Sequence, residues 1–438
     1  MRDLWQLKEE WRKVRPVRPQ NAVSPESDGE TSADAVRMTR PGRFEWRHPG
    51  WLVLGATILL TLIGLHAITI SRGLEHELLN SLAKKQLVFA IVGVIGAFVV
   101  MIPHYRWAAH LAWPAAAATV ALLVFVLIPF VPEAIVRPRN GARRWISMGF
   151  TDFQPSELAK IVFVIVVAQA LERTRKHREY RGLVVIGLAA LVPIGLILIE
   201  PDLGTSLLFV PTLLAMLVAA GAKLKHLILT GLAGASLGVA IVVVSLVFAE
   251  QDKYPLLRPH QVVRIQAVLD EIRGDDRHLD ERGFQGTQAK ILLGSGGVSG
   301  HGELRSRALV SFSALPERHN DMIFPVVVNR FGMLGALAVL ALYGVWIVGA
   351  CAVAVMCKDG FGRLVVIGLA SMIATQASIN IGMTMGLFPI TGMTLPFVSY
   401  GGSSLLMGYL MVGVIMSVAI RRPPLLWKES FDFDDASR

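Results

Sequence analysis

Four short stretches concentrate residue types that carry chemistry in a chain otherwise dominated by apolar runs. The first is NGARRWISMGFTDFQPSELAK, residues 140–160. Asn140-Gly141 is a tight-turn signal, with glycine supplying positive φ. Arg143 and Arg144 are suited to phosphate oxygens, which guanidinium grips bidentately. Trp145 is amphipathic and fits a membrane interface or the face of a sugar. Pro155-Ser156 opens a helix with Ser156 expected as its cap, and Glu157 near the positive end of the helix dipole. Glu157 and Lys160, three apart, share a helical face. An ionisable pair entering the bilayer is a functional hypothesis, and its competitor is a structural salt bridge with snorkelling.

The second stretch, EPDLGTS (200–206), sets Glu200 and Asp202 in a near-loopless connection between two apolar runs. A polar cap on a tight hairpin explains it as well as a functional role does. The third, FSALPERHNDMIFPVVVNRFG (312–332), places Asp321 immediately before a long apolar run, beside Arg318 and His319. Partial desolvation moves such a carboxylate toward general-base range, and cationic neighbours move it back. An ordinary N-cap aspartate fits the position equally. The fourth, NIGMTMGLFPITGMTLPFVSYGGSSLL (380–406), carries Asn380, Ser399 and a series of helix breakers, among them Pro389, Gly392, Pro396, Gly401 and Gly402. Irregular backbone at membrane depth is tolerated only against protein or a water-filled cavity.

The elements that must position these residues follow from composition. The chain has 438 residues, 53% hydrophobic and 17% charged, with mean hydropathy +0.53. Its apolar runs are close to the ~20 residues needed to cross a bilayer as helix. The expected fold is therefore all-α: a polytopic membrane protein with about ten transmembrane helices. Spans are expected near 51–71, 86–103, 107–132, 156–172, 182–200, 204–221, 226–249, 323–356, 363–388 and 401–420. The run at 323–356 exceeds what a bilayer needs, which suggests tilt or an extension into the cytoplasm. Residues 1–48 read as a largely disordered cytoplasmic tail, with LWQLKEEWRKVR as a candidate interfacial helix. Residues 49–422 read as the membrane domain and 423–438 as a cytoplasmic tail. The first apolar run reads as a retained signal anchor.

Lys and Arg in short loops give the orientation. RTRKHREYR (173–181), AKLKH (222–226), CKDGFGR (357–363) and RRPP (421–424) fall on one side with both termini, which is the cytoplasmic side. Loops 133–155, 200–203, 250–322 and 389–400 then share the opposite, periplasmic face. The long loop at 250–322, between the seventh and eighth spans, is the largest. Loop 133–155 breaks the rule with Arg137, Arg139, Arg143 and Arg144, and an anionic ligand is one reason to hold arginines there.

Net charge is +10 with pI near 9.8. In this setting it reflects loop topology and anionic lipid, so no nucleic-acid partner is expected. Cys351 and Cys357 are too far apart along one helix for a disulfide. His260, His278, His301 and His319 lack metal-ligand spacing. No phosphate loop or nucleophile elbow is present, which argues against a self-powered pump.

The four stretches, in this order among these spans, resemble the SEDS family (shape, elongation, division and sporulation), the RodA/FtsW/SpoVE group. The likeness covers about residues 50–420. It implies a peptidoglycan glycosyltransferase that polymerises lipid II at the outer face of the bacterial inner membrane, for elongation or septal synthesis. It also implies Asp321 as the catalytic base, Trp145 as a functional tryptophan and Glu157–Lys160 as a buried ion pair. Arg143, Arg144, Trp145 and Lys160 are the expected substrate and pyrophosphate contacts. Glu157, Asp202, Arg318, His319, Ser399, Gly401 and Gly402 are expected to support them. Implied partners are lipid II, membrane lipids and a class B penicillin-binding protein. No cofactor is implied beyond an open place for a Mg or Mn ion at the pyrophosphate. Two departures stand out: Asn320 where the family commonly has threonine, and Asn329-Arg330 where it often has acids. The elongation (RodA-like) type is favoured over the division (FtsW-like) type. A lipid II flippase and a non-catalytic scaffold for the penicillin-binding protein are the competing readings.

Overall fold

The computed structural model describes residues 48–72, 80–139, 142–149, 151–173, 180–249, 262 and 281–421. The expected tails, apart from His48, and residues 250–261 and 263–280 of the long 250–322 loop lie outside them. The helices are α1 (Gly50–Ser71), α2 (Ser81–Met101) and α3 (Arg106–Leu127), then α4 (Pro155–Arg173), α5 (Tyr180–Ile199), α6 (Leu203–Ala219) and α7 (Leu224–Ala249). After the long loop come α8 (Glu281–Ser295), α9 (Glu303–Phe312), α10 (Ile323–Met356), α11 (Gly360–Thr384) and α12 (Gly402–Ile420). A helix thus stands at every expected span. Seven of the described helices are long and apolar enough to cross a membrane: α1, α2, α3, α5, α10, α11 and α12.

Apolar side chains cover nearly the whole circumference of these helices, so burial is decided by neighbours rather than by an amphipathic stripe. α1, α11 and α12 are mostly buried, whereas α2 and α3 expose most of their surface. α12 packs on α2, α10 on α1, and α11 on both α6 and α10. Small residues permit the tightest approaches: a Cβ on Gly64 of α1 would stand 2.7 Å from Val398 Cα, and one on Gly413 of α12 would stand 2.6 Å from Ala97 O.

The structure differs from the sequence reading in four places. Loop 133–155 contains a three-stranded antiparallel sheet, β1 (Val136–Arg139), β2 (Ala142–Ser147) and β3 (Asp152–Phe153), in the order β1-β2-β3. The long run at 323–356 is not one continuous helical rod. α10 is broken at Gly332, whose φ of 67° no β-branched or bulky residue adopts readily. The glycine-rich 296–300 segment fits into the break, accepting Met333 N–H on Gly297 O at 2.9 Å. α11 ends at Thr384, short of the expected 388. Finally, α4 begins at Pro155, so Ser156 is inside the first turn rather than its cap, as suits proline at the first helical position. Cys351 and Cys357 are both free.

Candidate functional site

All four stretches meet at one end of the bundle, where α4, α6, α10 and α12 begin. The 385–401 segment between α11 and α12 is the hub. Its backbone leaves helical geometry, so its polar groups need side-chain partners, and the motif residues supply them.

Asp321 lies just before α10 and is 6% exposed. Its main chain is pinned from several sides. Asn380, fully buried on α11, donates to Asp321 O at 2.9 Å and to Met393 O at 2.6 Å. Ser399 donates to Asn320 O at 2.5 Å and accepts Leu395 N–H at 2.7 Å. Tyr400 N–H donates to His319 O at 2.9 Å. Gln86 of α2 then ties Ser399 O (2.9 Å) to Gly401 N–H (3.2 Å). The carboxylate faces Gly392, where a Cβ would stand 3.9 Å from Asp321 Oδ2, and Gly392 has φ 75°. Phe397 adopts φ 66°, an uncommon value for a bulky residue, and is wedged between Trp346 and Tyr409. Backbone held in such a region persists only where packing over-determines it, and it clusters at functional sites.

Glu157 and Lys160 form a buried ion pair at 2.7 Å on α4. The Lys160 ammonium also donates to Gln376 Oε1 at 3.0 Å, and Gln376 donates to Thr394 O at 2.9 Å. Thr394 and Ser404 hydroxyls meet at 3.1 Å. A polar chain therefore runs from α4 through α11 to the hub and α12. Ser403 donates to Asp152 O at 3.0 Å and accepts Gln154 N–H at 3.2 Å, joining α12 to β3. Gly402 packs under Phe89 and Thr151, where a Cβ would stand 2.9 Å from the ring.

The EPD turn joins the same assembly. Asp202 caps α6 by accepting Thr205 N–H at 3.1 Å, and it accepts the Gln154 amide at 3.1 Å. Arg144 Nε donates to Glu200 O at 2.7 Å, and its Nη2 donates to Pro201 O. Glu200, just past α5, is 1% exposed, and among the described residues neither carboxylate oxygen has a hydrogen-bond partner. Burial, reinforced by the Asp202 charge and opposed by Arg144, pushes its pKa up to about 8. The EPD motif placed Glu200 at this rim, but only the packing reveals that its carboxyl is enclosed.

The other expected contacts separate. Arg143 donates to Pro129 O at 2.7 Å and to Val131 O, tying the sheet to the end of α3. Trp145 sits opposite Arg137 in the β1–β2 pair, half-buried. Arg318 donates to Val310 O at 2.7 Å. His319 packs against Tyr400 with ring centroids 5.8 Å apart, and burial holds its pKa below the ordinary value. The departures at Asn329 and Arg330 lie away from this hub: Asn329 bonds Ser306 and Ser295, and Arg330 donates to His301 O.

Comparison with known proteins agrees with this geometry. Residues 50–423 match the model of the FtsW/RodA/SpoVE family, described as cell cycle protein. Stage V sporulation protein E of Bacillus subtilis is 34% identical over 380 residues, covering 85% of this chain and 97% of the relative. Peptidoglycan glycosyltransferase MrdB of Escherichia coli K12 is 33% identical over 304 residues, covering 69% and 78%. Among solved structures, a chain of a peptidoglycan synthase complex, studied for how it coordinates polymerization and crosslinking, superposes with TM-score 0.69. It shares 28% identity, with 86% of this chain and 98% of that chain covered. The crystal structure of Thermus thermophilus rod shape determining protein RodA superposes with TM-score 0.60 at 25% identity, covering 87% and 98%. With its apolar helices, its four motifs in order and this likeness along most of its length, the chain belongs to the FtsW/RodA/SpoVE (SEDS) family and is a multi-pass membrane protein.

Proposed function

We propose that this chain is a peptidoglycan glycosyltransferase that polymerises lipid II at the outer face of the bacterial inner membrane. Relatives named for that activity support the reaction class. The observation that carries the site is Asp321: a buried carboxylate at the head of α10, facing Gly392, with its backbone pinned by Asn380 and its neighbours by Ser399 and Tyr400. Such preorganisation suits a general base, because the carboxylate need not be repositioned when the proton moves. Asp321 accepts the proton of the attacking sugar hydroxyl as that hydroxyl oxygen bonds the anomeric carbon. The bond from that carbon to the pyrophosphate oxygen breaks, and undecaprenyl pyrophosphate leaves with the electron pair.

Arg143, Arg144 and Trp145 stand at the sheet on the same end and are proposed as flanking contacts for the sugar and pyrophosphate, the two arginines only through the donors that their main-chain bonds leave over. Lys160, paired with Glu157, acts through Gln376 to hold the hub in shape. Among the described residues no three His, Cys, Asp or Glu side chains gather as a metal site. A Mg or Mn ion at the pyrophosphate would supply charge for the departing group. The ten helices at the expected spans are read as crossing the membrane, with both termini cytoplasmic and the Asp321 end periplasmic. A class B penicillin-binding protein is the proposed partner, supported by the likeness to a synthase-complex chain. The elongation role is favoured over the septal one by the PFVSYGGSS and TQAKILLGSGG stretches.

The test is lipid II polymerisation by the purified protein with its partner, wild type against Asp321→Ala. Glycan strands from wild type, and none from a folded, partner-bound variant, support the reading. Equal product removes Asp321 from the base role. Lipid II crossing vesicles without polymer formation turns the reading to a flippase.

A further inference from the structure

A cleft of about 420 Å³ opens between the end of α1 and the segment leading to Asp321. Ser71, Arg72, Ser311, Glu317, Arg318 and His319 line it. Arg72 is exposed, and among the described residues its side chain has no hydrogen-bond or ion-pair partner. Arg318 is half-buried and anchored by its single bond to Val310 O, which leaves most of its guanidinium donors unused. Burial lowers the Arg318 pKa first, and the Arg72 charge lowers it further, so the two guanidiniums are close enough to oppose each other. Burial first, and then the same two cations against the opposing Glu317 charge, lower the His319 pKa from its ordinary value. Glu317 is the one carboxylate in the lining, and it already accepts the Asn320 side-chain amide. Two like charges facing a water-accessible cleft, with their donors unused, form a receptor for a bidentate anion.

We infer that this cleft, between Arg72 and Arg318 and with Arg318 three residues along the chain from Asp321, is an anion subsite for a phosphoryl group carried on a lipid. The inference rests on the glycosyltransferase reading for the identity of that lipid, which is either a polyprenyl pyrophosphate or an anionic phospholipid. It differs from the sequence expectation, which looked to Arg143 and Arg144. Each of those already holds two main-chain carbonyls.

Binding is measured on the full chain in detergent micelles, without turnover. The probes are undecaprenyl pyrophosphate and phosphatidylglycerol, with undecaprenol and phosphatidylcholine as uncharged or zwitterionic controls. The variants are Arg72→Gln, Arg318→Gln, the double variant and Arg72→Lys. Arg72→Gln removes no contact that holds the fold, so its result is free of misfolding. We expect Arg72→Gln to weaken binding of a phosphoryl lipid by about tenfold or more, as loss of a charge-assisted hydrogen bond does. The double variant is expected to weaken it further, and Arg72→Lys to retain part of it. If only undecaprenyl pyrophosphate is affected, the ligand is the substrate or product of transfer; if phosphatidylglycerol is affected equally, it is a headgroup. Unchanged binding of both probes in the Arg72→Gln and double variants overturns the subsite. Arginine-dependent binding in a protein that never polymerises lipid II keeps the subsite and removes the catalytic reading.

Discussion

Replacing Lys160 by methionine, or Glu157 by glutamine, tests whether the buried pair on α4 is a structural element coupled to the site. Lys160 is 2% exposed and Glu157 is 6% exposed, and the two are 2.7 Å apart. Neither is solvated, so removing one partner leaves an uncompensated charge in a low-dielectric interior. The expected loss is about 3–5 kcal/mol, because desolvation of the remaining ion is no longer offset. Glu157→Gln with Lys160→Met removes both charges at nearly constant volume and should lose no more than about 1–2 kcal/mol. The two single losses summed therefore exceed the double loss by several kcal/mol, a coupling that a double-mutant cycle reads directly. The assay is reversible unfolding in mixed detergent micelles followed by tryptophan fluorescence. Single variants within about 1 kcal/mol of wild type, or a double variant equal to the sum of the singles, would refute the argument. In that case the polar chain through Gln376 and Thr394 is a set of independent contacts.

Two further predictions follow from packing and protonation. Gly64→Ala sets a methyl 2.7 Å from Val398 Cα and is expected to destabilise by about 1–3 kcal/mol, with loss of polymerisation as the hub shifts. Gly55→Ala, with open space around it, is the neutral control in the same thermal-unfolding measurement. Glu200 has a folded pKa of about 8 against an ordinary 4.5. The native state therefore binds more protons than the unfolded state between those values, and wild-type stability falls as pH rises through that window. Glu200→Gln mimics the protonated carboxyl, so its unfolding curve should lack that slope; an identical pH profile in the two proteins refutes the protonated assignment.

The helices were the most legible part, because apolar runs of bilayer length leave backbone no other way to satisfy itself. What escaped the reading depended on contacts made across the chain. The β1–β2 pair was partly visible: Asn140-Gly141 marks a turn, and Arg139 pairs with Ala142 on either side of it. Its strands carry four arginines, Arg137 and Arg139 in β1 and the adjacent Arg143 and Arg144 in β2, rather than an apolar face, so the period-two apolar signal that usually identifies a strand is missing. The break in α10 was hidden because Gly332 sits in an otherwise continuous apolar run. Only the 296–300 segment packed against it shows why a positive φ is needed there. The pair Glu157–Lys160 was legible from its spacing, whereas its link to Gln376, 216 residues away, was not.

The arginines show most clearly where a one-dimensional reading stops. Counting charge by loop marked Arg143 and Arg144 as anomalous, and an anionic ligand was a sound reason for cations on that face. The structure supplies another: each ends on the carbonyls of a chain segment that leaves its helix, Arg143 after α3 and Arg144 after α5. A carbonyl at a helix end near lipid must find a donor, and guanidinium reaches two at once. Arg72 and Arg318 drew no notice by loop counting, since one stands alone past α1 and the other sits inside PERHND. Yet they keep donors facing an open cleft. Whether an arginine serves the fold or a ligand is therefore decided by how many of its donors the fold leaves unused.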